Sequence, residues 1–394
     1  MSAAIDAPAK PKVPLWNDPK IRSIAIQALV VLAILFLTYE FVQNAAANLK
    51  SLNKTFGFEF FSQTSGFDII QSLVEYSSSH NYGRALLVGF LNTILISVLS
   101  IIAATIIGFI MGVMRLSKNW LISNLAVIYI EVFRNVPLLL WIFVFYSAVL
   151  QPLPSVRQAL SLFDSFFLSV KGLAMPAPIF GTGAWLTLAA LVLALAASWL
   201  IARWARLRQA ATGQIFPVFR TSVGLILGLP LIALILTGFP ISFEYPVLTG
   251  FNFTGGIAVY PELIALFLAL SIYTGTYVAE NVRAGILAVS HGQTEASHAL
   301  GLRHGATLRL VVVPQAMRVI IPPLASTYLS LTKNSSLAVA IGYPDLVATG
   351  GTVLNQTGKA IEIVGIWMVV YLSLSLLTSL LMNWFNARMK LVER

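Results

Sequence analysis

Apolar residues along this chain collect into long blocks, and block length is the first signal. No Asp, Glu, Lys or Arg stands between Arg84 and Arg115, between Lys171 and Arg203, between Arg220 and Glu244, or between Glu362 and Arg388. Each block is long enough for a bilayer core, which takes about 20 apolar residues in a helix. Read this way, the pattern predicts eight spans at about residues 22–42, 85–114, 135–150, 184–202, 221–239, 262–282, 319–341 and 363–385. Segment 120–133 has apolar residues at Leu121, Leu125, Ile128 and Val132. That helical spacing predicts a short helix lying in the inner interface and ending at Arg134-Asn135-Val136-Pro137, where the chain turns into the third span. Segment 43–83 holds Gly57, Gly66 and Ser77-Ser78-Ser79 without a span-length apolar run. It is expected to be an excursion outside the membrane.

Composition supports the class. Of 394 residues, 58% are hydrophobic and 10% charged, against about 25% charged in soluble domains. The expected fold is therefore an all-α polytopic membrane protein. The first span follows a basic stretch as a signal peptide does, but its apolar run of roughly 18 residues exceeds the usual 7–15, so it is expected to stay. An even number of spans puts both termini on one side. If that side is the cytoplasm, only Lys50, Lys54, Arg84, Arg157, Lys171, Lys333 and Lys359 of the 25 Lys and Arg fall outside, as the positive-inside rule requires. The net charge of +10 thus reads as topology and gives no reason to expect nucleic acid. Residues 1–20, with Pro8, Pro11, Pro14 and Pro19, read as an extended cytoplasmic tail. Cysteine is absent, which removes disulfides and thiol chemistry.

The densest chemistry lies between the sixth and seventh spans. A helix leaves the membrane through Tyr277–Ile286, with Glu280 and Arg283 three apart on one face. A polar helix follows over Gly292-Gln293-Thr294-Glu295-Ala296-Ser297-His298-Ala299, then a break at Gly301, then an amphipathic run to Pro314. Gly301 is suited to a positive φ and Pro314 to a fresh helix start. Leu300 and Leu302 flank the break and are expected at the tip of a rigid knob that docks on a partner. His291, His298 and His304 share this loop, but spacings of seven and six give no i, i+4 pair and no cysteine completes a set, so no metal site is expected.

Glu295, Ala296, Gly301 and Pro314 match the signature of the ABC-importer permeases, which is Glu-Ala-Ala, three residues, Gly, nine residues and Ile-x-Leu-Pro. Ser297, Val311 and Val313 depart from it conservatively. Gly292-Gln293-x-Glu295-Ala296, Glu280-x-x-Arg283, Arg134-Asn135-Val136-Pro137-Leu138-Leu139 and Lys333-Asn334-Ser335-Ser336-Leu337-Ala338 resemble elements of the histidine/glutamine/glutamate, or polar amino-acid, branch. The resemblance covers about 84–150 and 261–394, a type I permease core of five helices with its coupling loop at 284–318. Segments 21–83 and 151–260 would add three more spans. That enlarged layout is similar to the Q-type permease of general L-amino-acid (Aap/Bzt-type) importers.

The resemblance implies a subunit of the bacterial inner membrane, with both termini cytoplasmic, that moves L-amino acids while a separate ATPase dimer, holding ATP and Mg, works through the knob. It further implies a homologous second permease subunit and a periplasmic amino-acid-binding protein. Within this chain no cofactor is expected and no catalysis: Gly358-Lys359 has Val353 where a Walker A needs glycine and Ala360 where it needs Ser or Thr. Two other readings stand: a secondary transporter driven by an ion gradient, and a non-transporting scaffold or sensor that docks an ATPase.

Several residues carry two readings each. Glu280 and Arg283 make an intrahelical ion pair or anchor the loop. Lys333, with Asn334 and Ser335 in an apolar span, attracts a substrate carboxylate or pairs with an acid such as Asp345. Asn92, Thr93, Thr274 and Thr276 line a polar path or hold helices together. Trp141, Trp185, Trp199, Trp204, Trp367 and Trp384 read as interface anchors.

Overall fold

The computed structural model describes residues 19–51 and 56–389. The expected tail therefore lies outside the described residues up to position 18.

The chain opens with α1 (Pro19–Ser51), α2 (Tyr82–Arg115), α3 (Trp120–Arg134) and α4 (Leu138–Phe143), which continues as a π-helical turn over Val144–Leu150. Strands β1 (Leu160–Leu162), β2 (Phe166–Ser169), β3 (Gly172–Met175) and β4 (Ala177–Phe180) come before α5 (Ala184–Thr212) and α6 (Val218–Leu236). Strands β5 (Ile241–Glu244), β6 (Val247–Thr249), β7 (Asn252–Thr254) and β8 (Ile257–Val259) then lead to α7 (Pro261–Leu287). The remainder is α8 (His291–Ala299), α9 (His304–Thr307), α10 (Val313–Asn334), α11 (Leu346–Thr357) and α12 (Ala360–Met389). Among the described residues, seven helical stretches are long and apolar enough to cross a membrane, and the bent pair of α3 with α4 and its π turn makes eight if it counts as one span.

The core is built on α2 and α7, which run parallel and touch through glycine. A Cβ on Gly108 would stand 2.4 Å from Val278 Cβ, and one on Gly112 would stand 2.7 Å from the Ala279 carbonyl oxygen. Two glycines four apart make a groove into which the facing backbone settles, the way helices pack where water supplies no hydrophobic drive. Helix α10 packs antiparallel on α7, burying Val278, Val282, Ala316, Ile320 and Leu324 in one cluster. Helix α12 covers α10, and α11 seats on α2. The extra helices stay outside this bundle. In the most apolar eighteen-residue stretch of α1 and of α6 no residue is buried, and in that of α5 only 6% are, against 61% for α7.

Two features differ from the sequence reading. Helix α3 packs on the bundle: the Tyr129 hydroxyl donates to the Ile272 carbonyl at 2.6 Å, near the middle of α7, and Ala126 and Ile130 are buried. With α4 it forms a pair bent by 101° before Leu138, the geometry of a broken crossing or of a re-entrant loop. The cause is packing of this apolar face against α2 and α7, which the helical period alone cannot locate. Second, segment 151–260 holds short strands as well as its two helices. They form an antiparallel β1-β2-β3-β8 sheet and two hairpins, β4-β5 and β6-β7. The sheet sits where α7 begins, because β8 leads into it through Tyr260.

Candidate functional site

Beyond the end of α7 the chain builds a knob. Helix α8 closes with Leu300 as its C-cap; Gly301 N–H donates to the His298 carbonyl at 2.9 Å and Leu302 N–H to the Ser297 carbonyl at 3.1 Å. This pair of bonds with Gly301 at φ +76 is a Schellman turn, in which a left-handed glycine satisfies the last carbonyls of a helix. The turn throws Leu300 outward at 81% exposure. Ser297 and Thr307 are buried, with their hydroxyl oxygens 3.0 Å apart, and this contact fixes α8 against α9. Gln293 accepts from the Gln315 amide at 3.3 Å, tying α8 to α10. Glu295 and Gly292 are exposed, and Glu295 meets His291 at 3.0 Å. Ala296 precedes the buried Ser297 on α8, and Pro314 stands in the first turn of α10.

The knob is braced from below. Glu280 pairs with Arg283 at 3.1 Å and also with Arg115 at the end of α2. The ion pair and the anchor are thus one arrangement, because a single carboxylate joins α2 to the root of the loop.

A second feature lies between α7 and α10: an open cavity of about 390 Å³ walled by Tyr273, Thr274, Tyr277, Ser330 and Asn334. Hydroxyl- and amide-bearing side chains share its lining about evenly with apolar surface. The Tyr273 and Tyr277 hydroxyls are 2.9 Å apart, and the exposed Arg134 guanidinium lies 5.1 Å from the Tyr277 ring centroid. Arg134 ends α3 at the break before α4, facing the second half of α7.

The path candidates are divided. Thr274 and Asn334 stand on the cavity wall. Asn92 is fully buried and donates to the Gln71 and Pro344 carbonyls, and Thr93 accepts from Leu346 N–H while bonding Gly89. Thr276 and Ser335 spend their hydroxyls on backbone carbonyls of their own helical turns. Lys333 is exposed in the last turn of α10. Among the described residues no ion pair joins it to Asp345, which is buried and caps α11 through Ala348 N–H at 2.7 Å.

Residues 213–391 match the family model described as "Binding-protein-dependent transport system inner membrane component". General L-amino acid transport system permease protein AapQ of Rhizobium johnstonii is 56% identical over 377 residues, covering 96% of this chain and 94% of its own length. Putative amino-acid ABC transporter permease protein YhdX of Escherichia coli is 49% identical, covering 96% of this chain and 97% of its own length. Glutamate/glutamine/aspartate/asparagine transport system permease protein BztB of Rhodobacter capsulatus is 42% identical, covering 96% of both chains. This chain belongs to the amino-acid ABC transporter permeases. As a permease subunit of an ATP-driven importer it performs transport, and it is a multi-pass membrane protein.

For this permease the sequence reading passed over Arg134, Tyr273, Tyr277 and Ser330 as site residues. Arg134 had been noted only as part of a motif. Its signal was a guanidinium next to Pro137 within an apolar pair of segments, where a cation is costly and marks a function. The tyrosines gave no comparable signal, since i, i+4 aromatics also occur in any packed helix.

Proposed function

We propose that this permease moves L-amino acids of broad side-chain type along the α3–α7–α10 face, paired there with a homologous second permease subunit. The observation that carries this reading is Arg134, an exposed guanidinium facing the second half of α7 beside a cavity whose wall bears hydroxyls. A cation at that depth is tolerated where it faces a water-filled path or a partner. An arginine fork is matched to a carboxylate, the group every α-amino acid shares, while the hydroxyls leave the side chain uncommitted. Thr274 and Asn334 belong to this path in our reading. Lys333, Ser335, Asn92, Thr93 and Thr276 support its walls.

The knob of α8 and α9 faces the cytoplasm and seats in a separate ATPase dimer, where ATP and Mg²⁺ are held; Leu300 and Leu302 enter its groove and Glu295, Gln293 and Gly292 form the rim. A periplasmic amino-acid-binding protein delivers substrate at the opposite end of the bundle, and both termini lie in the cytoplasm of a bacterial inner membrane. Co-reconstitution with the ATPase and binding protein tests the reading. Uptake should follow ATP hydrolysis and survive collapse of ion gradients, and Arg134→Gln should raise the half-saturating substrate concentration about tenfold or more, in line with the loss of one charged hydrogen bond. Uptake that dies with the gradient, or an Arg134→Gln variant with normal kinetics, would reject it.

A further inference from the structure

The α5–α6 hairpin packs on itself through small side chains: Ala194, Ser198 and Ala205 are its buried residues on α5, and α6 buries none. Its remaining surface is open. At the end where α5 turns into α6, four arginines gather, Arg203, Arg206, Arg208 and Arg220, and residues 165–243 contain no Asp or Glu. Among the described residues no ion pair engages these four. Two of them are held over rings. Arg203 lies 5.9 Å from the Trp199 centroid and Arg208 5.2 Å from that of Trp204. Trp204 in turn makes an edge contact with Phe216 at 5.3 Å, and Arg208 donates to Gln214 Oε1 at 2.6 Å.

Tryptophans at the end of a span sit at headgroup depth. A guanidinium stacked on an aromatic face keeps its charge and its N–H fork, which matches phosphate geometry. Four arginine charges at one end of the hairpin, two of them stacked on rings and none paired with a carboxylate, favour an anion beside them. Topology alone asks only for basic residues somewhere in the loop; here two are positioned by rings on successive turns of α5. We propose that the α5–α6 turn binds the phosphate headgroup of an anionic phospholipid, with Trp199 and Trp204 setting the depth, Arg203 and Arg206, three apart on one face of α5, closing on the phosphate, and Arg208, held against Trp204 and Gln214, adding to the local positive charge. The inserted hairpin is then a lipid-anchored outrigger of the permease core. This rests on the hairpin crossing the membrane and is independent of the path assigned to substrate.

Native mass spectrometry of the full-length permease, purified and exposed to phosphatidylglycerol or phosphatidylcholine, tests it. The unaltered protein should retain the anionic lipid about tenfold more than the zwitterionic one, given several basic side chains at the surface. The combined change Arg203→Gln, Arg206→Gln and Arg208→Gln should remove that preference. Trp199→Leu with Trp204→Leu, which leaves every topological charge in place, should weaken it as well and decides the matter if the arginine variant fails to insert. Equal retention of both lipids by the unaltered protein would overturn the proposal, as would a preference unchanged in the variants. Loss of a co-purifying protein subunit at unchanged lipid preference would assign the arginines to a protein partner and overturn it too.

Discussion

Gly301 sets the direction in which Leu300 points. At φ +76 any residue with a Cβ pays about 1–2 kcal/mol for the left-handed backbone, although nothing lies within 4 Å of the site a Cβ would fill. Gly301→Val should therefore leave membrane insertion and protein amount unchanged while reducing ATP-coupled uptake and ATPase co-purification; a variant that transports normally would remove the turn from coupling. Asp345 makes a different prediction. It caps α11 from a fully buried position, and burial raises its carboxyl from 3.8 to about 7. A folded-state value above the unfolded one disfavours the ionised carboxylate in the folded protein. Its penalty is absent below about pH 4, grows as pH rises toward 7 and is then constant. Melting of the detergent-solubilised protein should thus fall between pH 5 and pH 7, and Asp345→Asn should flatten that slope while keeping the cap. Parallel curves for the two proteins would show that Asp345 does not titrate in this range.

At the level of elements, the contact between α2 and α7 leaves no room for a side chain. Gly108→Ala places a methyl against Val278 at 2.4 Å, an overpacking that costs about 1–3 kcal/mol. It should lower the melting temperature, and Val278→Ala in the same chain should recover part of the loss; failure of the double variant to recover would mean the helices meet elsewhere. This contact was present in the sequence as Gly108-x-x-x-Gly112 and was not singled out, because the spacing names a close approach without naming its partner. The spans themselves were legible, since charge-free length is a property of each segment alone. The knob was legible too: Gly301, Leu300 and Pro314 act through local backbone geometry. What stayed hidden depends on distant contacts. Helix α3 could be assigned as helix from Leu121, Leu125 and Ile128, but only its bond from Tyr129 to Ile272 places it along α7. The strands of 151–260 run three or four residues each, too short for alternation to register, and the β1–β2 turn is made by Phe163 and Asp164 at φ 53 and 49, where the usual Asn-Gly signal of a left-handed turn is missing.

For the molecule as a whole, the arrangement of ends makes a strong claim. Helices α2 and α7 run in parallel, so Tyr82, Pro261 and the short sheets share one end of the bundle, while Arg115, Leu287 and the knob share the other. The basic residues follow the same division, with Arg203, Arg206 and Arg208 at the far end of α5 from the β4–β5 hairpin that flanks its start. Charge bias and helix direction are independent observations, one electrostatic and one geometric, and both group the knob with the arginine-rich hairpin turn at one end of the helices. Because the chain has no cysteine, single thiols can be introduced without background. Leu300→Cys, at 81% exposure, and Phe163→Cys, at 83%, should react with a membrane-impermeant maleimide from opposite faces: Phe163→Cys in intact spheroplasts, Leu300→Cys only in inverted vesicles. Labelling of Leu300→Cys from outside, with Phe163→Cys reached only in inverted vesicles, would invert the assignment, as it would if the bent α3–α4 pair did not complete a crossing, and would separate the knob from any ATPase in the cell; labelling of both from one side would mean that α5, α6 and α7, which lie between the two sites, do not make three crossings.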